Sequence, residues 1–193
     1  MIWAILGIWF LIILGLAIAG TFDAPPGEFP AAMVACAGGP PLTFYLATRL
    51  SSRLRNWVAR CDLAEITALQ AWRVIGAAFL FAWATQVLPP VFAFPAGIGD
   101  ILVGIGAPVA ALAVARNLPH AHVAAWGVVV AGMADFMIVV SIGLLARSGL
   151  PLHFDGQLST DAMGQAPFVL FPTFLVPAFI VLHIIAVMKL MDE

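Results

Sequence analysis

The segment Ala96-Gly97-Ile98-Gly99-Asp100-Ile101 decides the fold, because it places an acidic residue inside an apolar run. A second segment, Ala131-Gly132-Met133-Ala134-Asp135-Phe136, repeats the pattern Ala-Gly-x-x-Asp followed by a large apolar residue. Each segment lies in a hydrophobic run that reaches the roughly 20 residues a membrane-spanning helix needs. These runs therefore predict helices that carry carboxylates into a membrane.

The composition predicts an integral membrane protein. Hydrophobic residues make up 63% of the chain and charged residues 9%, and the mean hydropathy is +1.08. Soluble domains are about 25% charged. The net charge of -2 and the lack of a basic cluster interleaved with aromatic residues argue against a nucleic-acid partner.

The apolar runs predict an all-α fold, a polytopic single bundle of six transmembrane helices that forms one domain over residues 1–193. The second of these helices contains Gly38-Gly39-Pro40-Pro41. It is predicted to be kinked or broken from Gly38 to Pro41, since proline lacks a backbone donor and glycine weakens a helix. A plain bend and a broken helix that lines a cavity remain two alternatives. The spans are predicted at about 2–20, 29–48, 64–86, 96–115, 123–146 and 168–189.

The basic residues predict the orientation in the membrane. Arginines 49, 53, 55 and 60 alternate with apolar residues at helical spacing, which is typical of a short interfacial helix. These four arginines, Arg116 and Lys189 fall on one side of the predicted bundle, and Arg147 falls on the other. The positive-inside rule then places both termini in the cytoplasm.

The charged residues within the spans are the candidate site. A lipid-facing charge costs roughly 2.5 to 3.5 kcal/mol at the middle of a helix, so these side chains should face inward and find partners. Gln70 and Arg73 are predicted to share a helix face with Ala77, Leu80 and Ala84. Helical rise places Arg73 about 13 Å, Asp135 about 18 Å and Asp100 about 22 Å from the cytoplasmic end. We therefore expect Arg73 to pair with Asp135, with Asp100 nearer the outer side.

Two interpretations of these charges remain open. They could form a structural ion-pair network that fixes how the helices pack. Alternatively, they line a polar cavity in which Arg73 holds an anionic or polar ligand and an aspartate accepts a proton. On the second interpretation the ligand-binding or proton-handling residues are Arg73, Asp135, Asp100, Gln70 and His183.

His183 raises a third hypothesis, a haem or electron-transfer protein. A haem would need a second ligand at matched depth, whereas His120 and His122 fall near the membrane edge. No metal ligand set or cofactor is assigned. Because nucleophile-elbow, zinc-protease, Walker and dinucleotide motifs are missing from the sequence, no catalytic residue is assigned and enzymatic activity is disfavoured but left open.

Three short motifs carry a resemblance: Gln70-x-x-Arg73, Ala96-Gly97-x-Gly99-Asp100, and Phe171-Pro172-Thr173-Phe174-Leu175-Val176-Pro177 with His183. Over residues 68–190 the chain resembles a group of uncharacterised bacterial multi-pass inner-membrane proteins. The resemblance implies a location in the bacterial inner membrane and no particular activity.

The leading functional hypothesis is a membrane protein that binds or translocates a small solute or protons through a buried polar core. The alternative is a structural or accessory subunit of a larger membrane complex. The predicted partners are accordingly the lipid bilayer, a small-molecule ligand, and either a second copy of the chain or a larger membrane complex.

Overall fold

The structure, a computed structural model, describes residues 2–154 and 156–192; Met1, Asp155 and Glu193 lie outside these ranges. The described chain is helical and contains no strand. Its α-helices are α1 (Ile2–Ile18), α2 (Ala31–Leu50), α3 (Ser52–Ala59), α4 (Leu63–Ala68), α5 (Ala77–Ala84), α6 (Pro90–Ala115), α7 (Ala121–Leu145) and α8 (Val176–Met191).

Four helical segments are long and apolar enough to cross a membrane. Two are the uninterrupted helices α6 and α7. The third runs from Leu63 to Ala84, where the 3₁₀ helix Leu69–Gly76 joins α4 to α5. The fourth runs from Phe171 to Met191, where the π-helix Phe171–Leu175 leads into α8. Four such helices are the pattern of a multi-pass helical membrane protein.

The prediction of six spans goes further than length and apolarity support. Helix α1 has 17 residues, and α2, although it has 20 residues, is not among the four segments that are apolar enough. Of the two alternatives for α2, the broken helix is wrong, because the helix is continuous through Pro40 and Pro41. Pro40 and Pro41 lack the N–H groups that would bond one turn back, and neighbouring helices can compensate for that loss in a membrane protein.

Helix α6 begins earlier than the sequence predicts. It starts at Pro90 and not at Ala96, so the predicted loop 87–95 is mostly helical. Proline is well suited to the first turn, where its missing N–H has no intrahelical partner. The extra turns carry Phe92 into the bundle, where it is buried.

The short helix predicted between Arg49 and Arg60 is present as α3. Ser51 caps it by accepting a hydrogen bond from the Leu54 N–H. The Arg55 guanidinium donates to the carbonyl oxygens of Thr48 and Arg49, at 3.1 and 2.9 Å. Arg55 thus satisfies carbonyl groups that the end of α2 leaves free.

The loops at the opposite end of the bundle are joined through Arg147, a buried arginine. It donates to Ala24 O at 2.9 Å and lies 3.3 Å from the Asp161 carboxylate. Burial raises the pKa of Asp161, but hydrogen bonds from Ser148 and Ser159 and the charge of Arg147 outweigh it, so this pKa lies below its ordinary value. The loop that follows α1 is thereby held against the loop that follows α7.

The apolar core is divided into clusters that leave a polar layer between them. One cluster includes Val58, Ile66 and Ile185, on the side of α3. Another includes Phe79 and Phe92, on the side of Arg147. Arg73 lies between Ile66 and Phe79 along its helix, so the bundle carries its buried charge between two apolar layers.

Candidate functional site

Arg73 is positioned by the 3₁₀ helix at the middle of its span. A 3₁₀ helix has about three residues per turn, so side chains at i and i+3 are aligned. From Thr67 the buried positions recur every third residue. The predicted face assumed 3.6 residues per turn and is wrong at Ala77 and Ala84, while Leu80 is half-buried. Ala77 and Ala84 are exposed. From Thr67 onward the buried residues are Thr67, Gln70, Arg73, Gly76, Phe79 and Ala82.

The guanidinium of Arg73 binds two carboxylates. Its Nε donates to Asp100 Oδ1 at 2.8 Å, and its Nη2 donates to Asp135 Oδ2. Its Nη1 donates to the carbonyl oxygen of Gly132 at 3.2 Å. The predicted pair of Arg73 with Asp135 is therefore present, and Asp100 joins it. Charge-assisted hydrogen bonds in such a fork fix the orientation of the guanidinium plane.

The ring of Phe136 covers one side of the guanidinium, with Arg73 Cζ 3.9 Å from the ring centroid. This cation–π contact adds to the attraction of the carboxylates. As a result Arg73 is fully buried, at 0% exposure.

Glycines allow the helices to approach closely enough for these contacts. A methyl group on Gly76 would overlap the Asp100 side chain, and one on Gly99 would overlap Asp135. A methyl group on Gly132 would overlap His183 and stand 2.8 Å from Arg73 Nη1. Both Ala-Gly segments therefore contribute to the charged cluster in two ways. Their aspartates bind Arg73, and their glycines let the helices approach closely.

A pocket reaches the two aspartates from the side of the bundle where α2 begins and α7 ends. Its volume is about 70 Å³. Asp100 and Asp135 line its inner end, with side chains 14% and 12% exposed. The remaining lining is mostly apolar and includes Met33, Phe79, Phe92, Val139 and Phe171. The carboxylates are thus accessible, although their arginine partner is not.

The π-helix contributes one wall of this pocket. Phe171, Pro172 and Val176 line it, and the Val176 N–H donates to Phe171 O, five residues earlier. Single π turns inside helices occur frequently at functional sites. Here the wider turn presents Phe171 to the pocket, where its ring centroid lies 4.4 Å from that of Phe79.

Gln70 and His183 lie behind the guanidinium, away from the pocket. Gln70 Nε2 donates to Phe179 O at 3.2 Å, and the His183 ring lies 6.2 Å from that of Phe136. Gln70 Oε1 and His183 Nε2 are buried and have no hydrogen-bond partner within the described residues. They extend the polar layer of the bundle and do not line the pocket.

The structure brings together all five residues that the sequence singles out, but in unequal roles. Arg73, Asp100 and Asp135 are in direct contact, while Gln70 and His183 pack next to them. Within residues 2–154 and 156–192, no group of three His, Cys, Asp or Glu side chains could hold a metal ion. The sequence did not single out the phenylalanines of the pocket, although Phe171 belongs to one of its motifs.

Comparison with known proteins relates the chain to one family. No curated protein and no solved structure matches it. Residues 30–191 match the family described as "Domain of unknown function (DUF8737)", a stretch that includes the charged cluster and the pocket. Because this match covers most of the chain, the protein belongs to the DUF8737 family.

Proposed function

We propose that this protein binds a small solute or protons at Asp100 and Asp135 and translocates them across the membrane. The observation that carries this proposal is the pocket that ends at the two carboxylates. Both acids remain partly exposed while their arginine is fully buried, as a site that a ligand can reach requires.

The charge balance of the cluster supports the same function. One guanidinium faces two carboxylates, so the cluster carries one excess negative charge when both acids are ionised. An uncompensated charge costs several kcal/mol in a low-dielectric interior. A proton or a bound cation would remove that cost, and either could then leave through the pocket.

The proposal includes a six-span arrangement in which α1 and α2 also cross the membrane. Helix α2 is about 30 Å long at 1.5 Å per residue, close to the thickness of the hydrocarbon core. Its two ends lie at opposite ends of the bundle. Gly27 N–H, before α2, donates to Ser148 O at 2.7 Å, whereas Ala59 O, after α2, accepts from Lys189 Nζ at 2.8 Å.

The location that we propose is the inner membrane of a bacterium, with both termini in the cytoplasm. The basic residues of α3, Arg116 and Lys189 support this orientation through the positive-inside rule. The pocket then opens in the outer half of the bundle, and α3 lies at the cytoplasmic surface.

Reconstitution into liposomes tests the proposed translocation. Proteoliposomes that contain a pH-sensitive dye should show a proton flux under an imposed membrane potential, and Asp100→Asn and Asp135→Asn should each reduce it to the level of empty liposomes. Asp23→Asn is the matched control, because Asp23 is exposed in the loop after α1, and it should retain the flux.

The accessory-subunit alternative predicts a different outcome. A stoichiometric partner that co-purifies with the chain, together with an absence of flux in the wild type, would contradict translocation and favour that alternative. An absorption spectrum of the same purified protein tests the haem hypothesis. A Soret band that disappears in His183→Ala would support haem binding.

A further inference from the structure

Four phenylalanines are among the mostly apolar residues that line the pocket. Phe79, Phe92, Phe136 and Phe171 line it together with the two aspartates. Three of the rings form a connected group, because the Phe79 centroid lies 5.4 Å from that of Phe92 and 4.4 Å from that of Phe171. The face of an aromatic ring carries negative electrostatic potential and attracts cations.

The inner end of the pocket has the same electrostatic preference. Asp100 and Asp135 each use one oxygen in the contact with Arg73. The second oxygens, Asp100 Oδ2 and Asp135 Oδ1, pack against Gly76 and Gly99, and both carboxylates also line the pocket. No basic side chain is among the described residues that line the pocket. An anion would be repelled there, and a sugar-like solute would find few polar partners along the walls.

The size of the pocket limits how much of a ligand it encloses. Its volume of about 70 Å³ is below the roughly 150 Å³ of an engineered cavity that holds benzene. A small head group therefore fits at the aspartates, and the rest of a larger ligand must extend toward the mouth. Val34 of α2 and Val140 of α7 line the pocket, and Val140 is 37% exposed, so this mouth is apolar.

We infer that the pocket binds a lipophilic monovalent organic cation, an amine or quaternary ammonium with an apolar substituent. The positive head lies on the pocket side of Asp100 and Asp135, and the apolar part packs on Phe79, Phe92 and Phe171. This inference rests on the proposed function, since it names the solute class for the same site. The positive charge of the ligand balances the second carboxylate, because Arg73 balances only one of the two.

Benzyltrimethylammonium is a suitable probe, and benzylsulfonate, of similar shape and opposite charge, is its control. Isothermal titration calorimetry of the full chain in a nonionic detergent should show saturable binding of the cation and none of the anion. Asp100→Asn and Asp135→Asn should each weaken cation binding at least tenfold, by about 1.4 kcal/mol or more. Their folding is checked by gel filtration.

Phe171→Leu keeps the pocket apolar, leaves the charges in place and removes one aromatic face. A cation–π contact contributes about 0.5 to 2 kcal/mol, so this variant should weaken binding about 2- to 30-fold. Phe154→Leu is the matched control, because Phe154 is an exposed residue of the loop after α7, and its affinity should equal that of the wild type.

Two outcomes would overturn the inference. Equal binding of the anion, or cation binding that is unchanged in Asp135→Asn and Phe171→Leu, would show that the probe does not occupy this pocket. If the cation does not bind but the dye-loaded proteoliposomes still conduct protons through Asp100 and Asp135, the inferred class of ligand is wrong. The proposed function then remains intact. If the wild type neither conducts protons nor binds the cation, the proposed function itself is overturned.

Discussion

Arg73 is the residue on which the polar layer depends. Each of its guanidinium nitrogens donates to a different group, namely Asp100, Asp135 and the carbonyl of Gly132. These three acceptors belong to two helices, so one side chain joins α6 and α7 to its own span. A lysine has a compact ammonium and cannot reproduce this planar fork.

Removing Arg73 should destabilise the bundle strongly. Arg73→Met leaves two carboxylates without a partner, and breaking a buried ion pair costs about 3 to 5 kcal/mol. Adding Asp135→Leu should recover only part of this loss, because Asp100 stays unpaired, and the triple variant with Asp100→Leu should recover more. Thermal unfolding in detergent measures the stability of each variant. The control is Arg53→Met, at an exposed position of α3. Additive losses from Arg73→Met and Asp135→Leu would contradict their partnership.

At the scale of the element, the 3₁₀ helix Leu69–Gly76 and α6 determine each other's position. A methyl group on Gly104 of α6 would stand 2.8 Å from Val74 N and 3.2 Å from Ala71 O, both of which are backbone atoms. The backbone of the 3₁₀ helix therefore lies directly on Gly104. Because of the tighter turn in this span, Gly76 is buried and Ala77 is exposed, and Gln70 and Arg73 lie on the same face of the helix.

Gly104→Ala should therefore weaken the packing of α6 on its neighbour. Overpacking typically costs about 1 to 3 kcal/mol, and the backbone atoms at this contact cannot move aside as a flexible side chain could. Gly106→Ala is the control on the same helix, since nothing lies within 4 Å of an added methyl group there. The melting temperatures of both variants in detergent test this expectation. Equal stability of the two variants would show that close approach at Gly104 is unimportant.

The sequence predicts the charged cluster better than it predicts the pocket. Arg73, Asp100 and Asp135 stand out because a charge within an apolar run must find a partner. The 3.6-residue period of an α-helix does not predict the period-three face of the third span, where the backbone of the 3₁₀ turn packs on Gly104. The sequence does not mark Phe171 as a pocket residue. The chain contains 14 phenylalanines, so no single one is distinctive before the fold is known.

At the scale of the whole molecule, the two ends of the bundle differ in charge and in construction. At one end, α3 carries Arg53 and Arg55 and is joined to α8 through Lys189. At the other end, Arg147 connects the loop after α1 to Asp161. The pocket is lined by residues near the start of α2 and the end of α7, so it lies in the half of the bundle away from α3.

This arrangement predicts which loops share a side of the membrane. In a background with Cys36→Ser and Cys61→Ser, single cysteines are introduced as Arg53→Cys, Asp23→Cys and Gln157→Cys, all at exposed positions. A membrane-impermeant maleimide added to intact cells should label the second and third variants, and Arg53→Cys only after the membrane is permeabilised. The reason is that α2 separates Asp23 from Arg53, while Arg147 holds the loop of Asp23 beside the loop that contains Gln157. If α2 instead lay flat on the membrane surface, Asp23→Cys would be labelled together with Arg53→Cys, and the six-span arrangement would have to be replaced by one with four spans.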